Sequence, residues 1–197
     1  MTVLQDSLSE WGRRARRDLP WRRTRDPWAV LVSELMLQQT QVPRVVPRFG
    51  SFLDRFPTPA ACASAPAADV VRAWAGLGYN RRALNLHRAA TAVVERHDGA
   101  VPRTLAALVA LPGVGPYTAR AVLAFAYEVD VGVVEVNSAR VLARAVAGRR
   151  LSAAEAQALA DGLVPPGDGW AWNSAMLDLG ATVCTKAAPA CDACPLR

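Results

Sequence analysis

The sequence predicts an all-α fold, and three observations carry that prediction. Helix-compatible runs follow one another with start and stop signals between them, and no segment alternates convincingly as a strand. At 111–118, LPGVGPYT, two glycines flank one apolar residue between two such runs, the pattern of a tight hairpin joining two helices. With 197 residues, 52% of them hydrophobic, the chain has material for one large domain or two small lobes.

The elements follow in order. Asp26 and Pro27 form an N-cap and first-turn pair that opens a helix to roughly Gln41, which Pro43 helps to end. Pro57 and Pro59 break the next segment, and Gly76 and Gly78 punctuate a turn at GLGYN. Residues 81–97 form a helix with Leu84, Leu86, Ala90, Val93 and Val94 near helical spacing and Gly99 as its stop. Thr104 caps the helix leading into the hairpin, whose second helix runs from about Pro116 to Tyr127. Val131 to Val136 reads as a loop crossing a core. A helix over 137–147 follows, Ser152 and Glu155 make a capping box for the next, and the last covers about Trp170 to Leu179.

No apolar run approaches the roughly 18 residues of a membrane span, and the opening MTVLQDSLSEWGRR lacks the apolar core of a signal peptide. A cytoplasmic location with no membrane contact is the expectation. The net charge is +6, and Lys186 is the single lysine among the basic residues. Arg13, Arg14, Arg16, Arg17, Arg22, Arg23 and Arg25 crowd one segment; such a face suits a polyanion, although a solvated surface and GC-rich codon usage produce the same bias. Cys184, Cys191 and Cys194 are spaced C-x6-C-x2-C, which points to metal or iron–sulfur ligation rather than disulfides. Cys62, in an alanine-rich stretch, reads as a small buried apolar residue.

The hairpin is the first chemical feature. Gly113 and Gly115 allow the chain to turn tightly around Val114 and to aim N–H groups at an anion where the next helix begins with Tyr117 and Thr118. Glu34 is the second, a carboxyl flanked by Val30, Leu31, Leu35 and Leu37; if buried there it favours its neutral form and can act as a general acid. A glutamate on the exposed side of the same helix, bonded to Gln38, is the competing reading. Gln38, Gln39 and Thr40 add amides and a hydroxyl able to reach base edges or merely to face solvent. Tyr79, beside Leu77 on a glycine turn, has the form of a wedge for a base stack, or of a lid on the core.

The order LPWR (19–22), SELMLQQTQV (33–42), GLGY (76–79), LPGVGPYTARAV (111–122), VNSARVLAR (136–144) and the clustered cysteines resembles the adenine DNA glycosylase (MutY-like) branch of the helix-hairpin-helix, or endonuclease III, superfamily. The likeness covers nearly the whole chain, and SELMLQQTQV is its most branch-specific part. It implies two helical lobes around a DNA-binding cleft. One is a six-helix bundle over 26–127 with the helix-hairpin-helix at about 104–127, and the other is built from 1–25 plus 128–197 with the cysteine cluster at 184–194. The resemblance makes Glu34 the general acid that protonates adenine, and Gln39, Thr40, Leu77 and Tyr79 residues that enter or frame the disrupted stack. Tyr117 matches a position that is lysine in bifunctional relatives, and Asn137 an asparagine beside the catalytic acid. The implied partner is double-stranded DNA with a mismatch or lesion, bound by a monomer, and the implied cofactor is a [4Fe–4S] cluster.

A glycosylase-lyase needs an amine for a Schiff base, and Lys186 between the cysteines is badly placed for it. A monofunctional enzyme using water is therefore expected, with the amino terminus as a source of weak lyase activity. Two departures from the family pattern matter. Glu135 stands where the superfamily carries aspartate, and Val136 where a smaller residue or threonine is usual. The acid stabilises positive charge building on the sugar. Its extra methylene shifts reach by about 1.5 Å, and misplacement of about 1 Å costs on the order of 100-fold. Asp130 is a possible substitute at the wrong offset. The cluster pattern continues C-x5-C, so three ligands are visible and the fourth position lies beyond Arg197. The expected function is removal of adenine paired with guanine or 8-oxoguanine. The alternatives are a mismatch thymine or uracil glycosylase, and a lesion-binding protein whose catalysis is weakened or lost through Glu135.

Overall fold

The computed structural model describes residues Thr2–Arg197, and they form helices and loops without a strand. Helix α1 (Val3–Ala15) starts on Thr2, whose hydroxyl accepts from the Gln5 N–H while the Gln5 side chain accepts from the Thr2 N–H. A 3-10 turn (Pro20–Arg22) precedes α2 (Pro27–Leu37), where the Asp26 carboxylate accepts from Trp28 and Ala29 and Pro27 takes the first position. α2 stops at Leu37, short of the expected end near Gln41, and Pro43 lies instead in the first turn of α3 (Val42–Arg55), where no N–H is needed.

Short helices α4 (Pro59–Ser64) and α5 (Ala67–Ala73) lead to α6 (Arg81–Arg96), which Gly99 stops by donating to the Val93 carbonyl. The buried stripe of α6 is Arg82, Ala83, Leu86, Ala89, Ala90 and Val93; Leu84 and Val94, expected on it, are exposed. Thr104 caps α7 (Leu105–Val109), and α8 (Pro116–Phe125) follows the hairpin. Residues 131–135 cross as a loop, with buried Val133 donating to the Asn173 side chain. Helix α9 (Val136–Val141) runs on into one π turn, Leu142–Val146. The Ser152 and Glu155 capping box opens α10 (Ala153–Leu163), and α11 (Gly169–Thr182) completes the set before a last 3-10 turn at Cys191–Ala193.

The chain divides into two compact units. An inserted unit spans Leu19–Tyr127, and a terminal unit joins the chain up to Asp18 to Glu128–Arg197. The division falls at Asp18 rather than after residue 25 because Leu19 and Trp21 are buried, with the Trp21 ring edge-on to Phe49 at 5.7 Å. In the inserted unit α2 is buried from Trp28 to Met36, surrounded by a core that includes Phe52, Trp74, Leu86 and Leu108. The terminal unit packs α1 on α11 through Leu8, Trp172, Ala175, Met176 and Leu179. Truncating Leu8 there would cost about 2–5 kcal/mol. Arg17 adds a bond from Nε to the fully buried Asp178 carboxylate at 2.5 Å. Cys62 is fully buried, and burial pushes its thiol up to about 12, so it acts as a packing atom. No helix among the described residues is long and apolar enough to cross a membrane.

Candidate active site

The hairpin is anchored by its apolar residues. Leu111 and Val114 are buried, and the Val114 N–H closes the turn on the Leu111 carbonyl at 3.1 Å. Gly113 takes φ +80°, and a Cβ there would lie 2.7 Å from the Asn85 Cβ, so only glycine lets the turn pack on α6. Gly115 is the N-cap of α8, with Pro116 after it and Tyr117 half-buried in the first turn. The first-turn N–H groups of a helix have no intrahelical acceptor, which gives that end of α8 the chemistry to receive an anion.

Glu34 is 5% exposed, within the stretch of α2 that is buried from Trp28 to Met36, so the solvated placement does not occur. Beyond it the chain is pinned to two other loops. Gln38 Nε2 donates to the Gly113 carbonyl and to Thr118 Oγ1, both at 3.3 Å, which ties the end of α2 to the hairpin. Thr40 is buried and donates to the Leu77 carbonyl at 3.2 Å. Leu77 itself is 1% exposed, its side chain packed into the core beneath the turn. Gln39 and Tyr79 are exposed, and both hold the left-handed backbone, φ +54° and +50°.

Arg82 lies behind these loops and was not singled out by its sequence context. Its Nη1 donates to the carbonyls of Leu35, Met36 and Gln38, and its Nη2 to Thr40 Oγ1 and the carbonyls of Leu77 and Gly78. These bonds explain the early end of α2, because the guanidinium takes carbonyls that a longer helix would occupy. Burial lowers the Arg82 pKa from the ordinary arginine value, and the Tyr79 hydroxyl opposes that change. The available sequence signal was an arginine four residues before Leu86, on the apolar stripe of α6.

In the terminal unit Glu135 is the N-cap of α9. Its Oε1 accepts from the N–H of Asn137 at 2.8 Å and of Ser138 at 3.0 Å, and its Oε2 from Asn137 Nδ2 at 3.1 Å. Asn137 Oδ1 accepts in turn from Arg140 Nη2 at 2.8 Å, and Arg140 reaches the Gly180 and Cys184 carbonyls, each at 2.7 Å. Gly180 permits this packing, since a Cβ there would stand 2.8 Å from the Asn137 backbone. Val136 is 72% exposed beside the carboxylate. Asp130 is spent elsewhere, accepting from the N–H of Gly167 and Gly169 ahead of α11. That occupation removes it as a substitute for Glu135.

Cys184 is buried, Cys194 half-buried and Cys191 exposed. Arg144 Nη1 lies 3.9 Å from Cys184 Sγ and donates to the Thr185 carbonyl. Cysteine sulfur is the donor type that iron–sulfur ligation uses, so the donor chemistry suits it. A [4Fe–4S] cluster takes four thiolates, of which this segment holds three, and among the described residues no group of three His, Cys, Asp or Glu converges on a metal position. Lys186 is exposed in the same segment, and Met1, which bears the amino terminus, lies outside the described residues.

Residues 32–166 match the family described as HhH-GPD superfamily base excision DNA repair protein. The adenine DNA glycosylase of Mycolicibacterium smegmatis is 47% identical over 201 residues, covering 100% of this chain and 68% of that protein. The chain belongs to the adenine DNA glycosylase branch of the HhH-GPD superfamily. The human adenine DNA glycosylase is 41% identical over 100% of this chain, which spans 39% of the human protein. A thermostable thymine-DNA glycosylase of known structure superposes with a TM-score of 0.93 at 29% identity, covering 98% of this chain and 92% of that one. The chain thus spans about two thirds of its mycobacterial relatives and about two fifths of the human one.

Proposed function

We propose that this chain is a monofunctional DNA glycosylase of base excision repair that hydrolyses the N-glycosidic bond of adenine paired with guanine or 8-oxoguanine in double-stranded DNA. The observation that carries the reading is Glu34, a carboxyl 5% exposed on a mostly apolar helix, one turn ahead of the polar run Gln38 to Thr40. In this reading the hairpin and the start of α8 grip a phosphate, Gln39 and Tyr79 take up stack space, and the adenine nucleotide is extruded. The enzyme acts as a monomer in the cytoplasm.

Glu34 gives its proton to purine N7 as the bond between C1′ and N9 breaks, and the bonding pair leaves with the base. Glu135 stabilises the oxocarbenium-like sugar. Water adds to C1′ and returns a proton to Glu34, so adenine and an abasic sugar are the products. Tyr117, at the position of the lyase lysine in bifunctional relatives, keeps the reaction hydrolytic, and Asn137 orients Glu135. Cys184, Cys191 and Cys194 contribute three thiolates to a cluster that, when bound, has a structural role; iron and sulfide content of the protein, and its loss in Cys191→Ser, test that part.

Single-turnover assays on A:8-oxoguanine, A:G, T:G and U:G duplexes test the substrate. Cleavage of the adenine duplexes is expected, and cleavage confined to T:G and U:G would sink the adenine assignment. The fold-level likeness to a thymine-DNA glycosylase makes that the second reading.

A further inference from the structure

We propose that Arg82 is the positioning residue that holds Gln39 and Tyr79 ready to enter the base stack, controlling extrusion of the nucleotide without itself touching DNA. The inference rests on the role given above to Gln39 and Tyr79. Arg82 is 8% exposed, so its guanidinium is no phosphate contact. Its acceptors adjoin the two residues in sequence: Gln38 O and Thr40 Oγ1 stand on either side of Gln39, and Leu77 O and Gly78 O immediately precede Tyr79. One rigid group therefore fixes both loops relative to each other.

The brace acts where the backbone takes an uncommon conformation. Gln39 and Tyr79 each hold a positive φ that L-residues rarely adopt outside glycine, asparagine and aspartate, and each is exposed at its side chain. The Thr40 N–H closes one turn on the Leu37 carbonyl at 3.2 Å and the Tyr79 carbonyl accepts from the Arg82 N–H at 2.9 Å, so each residue sits in a local turn, and the guanidinium ties the two turns together. The guanidinium carbon also lies 5.4 Å from the centroid of the Tyr79 ring and 5.6 Å from that of buried Trp74, so it links the exposed ring to the core. Lysine cannot replace this arrangement, because a single ammonium with three donors does not span five carbonyls and a hydroxyl on the end of α2 and two loops.

The test uses the whole chain and an A:8-oxoguanine duplex with 2-aminopurine beside the target adenine, whose fluorescence reports unstacking. Wild type, Glu34→Gln, Arg82→Lys and Thr40→Val are compared for unstacking, single-turnover rate at saturating enzyme, active fraction, affinity for undamaged duplex and thermal midpoint. Glu34→Gln is expected to unstack the target like wild type without cleaving it. Arg82→Lys is expected to bind undamaged duplex within about twofold of wild type with the same salt slope, because no phosphate contact is lost. Its unstacking amplitude and its rate per active molecule are expected to fall on the order of tenfold or more. Thr40→Val, which removes one acceptor, should show a smaller loss in the same direction.

Wild-type unstacking and rate in Arg82→Lys would overturn the inference, as would losses that track only the active fraction. Should Arg82→Lys not fold, Thr40→Val decides, and wild-type unstacking in that variant overturns it. If wild type unstacks no duplex, the reading of Gln39 and Tyr79 fails first and carries this inference with it.

Discussion

Asn137 meets both oxygens of Glu135, with its N–H on Oε1 at 2.8 Å and its side-chain amide on Oε2 at 3.1 Å. The carboxylate is thus the cap of α9 and the proposed stabiliser of the sugar cation at once. Shortening it by one methylene keeps the charge and substitutes a better N-cap residue. Glu135→Asp should leave the thermal midpoint equal or higher and raise the single-turnover rate by about ten- to 100-fold. Glu135→Gln should lose on the order of 100-fold or more. A Glu135→Asp enzyme slower than wild type would refute a rate limit set by the length of the acid.

Glu34→Gln removes the proton donor while keeping shape and hydrogen-bonding capacity. The rate should fall about 10²- to 10⁴-fold, with duplex affinity within several-fold of wild type and no drop in thermal midpoint. Parallel loss of affinity and rate would assign Glu34 to binding instead.

The two hairpin glycines should behave differently. Gly113→Ala combines φ +80° with a Cβ 2.7 Å from Asn85, and should destabilise by about 1–3 kcal/mol and weaken duplex binding. Gly115→Ala meets no atom within 4 Å at φ −91°, and its stability should stay within about 0.5 kcal/mol of wild type. Thermal unfolding and titration with labelled duplex measure both.

Glu155 supplies a pH signature. Its bond from the Ser152 backbone, followed by those from Arg149 and the Ser152 hydroxyl, holds its carboxyl down at about 2 against an ordinary value of 4.5. A depressed folded-state pKa adds stability that is present above the unfolded value and is lost as pH falls through the folded one. Wild type should therefore melt above Glu155→Gln at pH 5 to 7, with the gap closing between about 4.5 and about 2. A gap that persists at the acid end would exclude this origin.

The signals that were legible are local ones. Asp26, Thr104 and Ser152 sit within three residues of the amides they cap, so sequence neighbours contain the whole interaction. Glu34, Glu135 and Asn137 were marked by motif and are placed by their own helices. The end of α2 was not legible because Arg82, 47 positions from Leu35, decides it. The burial of Leu77 was not legible for a related reason: a leucine between two glycines carries no local sign of facing inward, which only the packing of the rest of the unit decides. The anchoring of Arg140 on Gly180 likewise depends on α11, which no local pattern connects to α9.

The insertion of one unit within the other also sets a timetable for synthesis. Arg17 must wait for Asp178, 161 positions later, and Leu8 for Trp172, Met176 and Leu179. At ribosomal speeds that interval is on the order of ten seconds, during which Leu19–Tyr127 emerges with its core complete in itself. The stripe of Leu4, Leu8 and Trp11 on the first-made helix is therefore the part of the nascent chain that stays uncovered longest, and the last-made helix is the one that closes it.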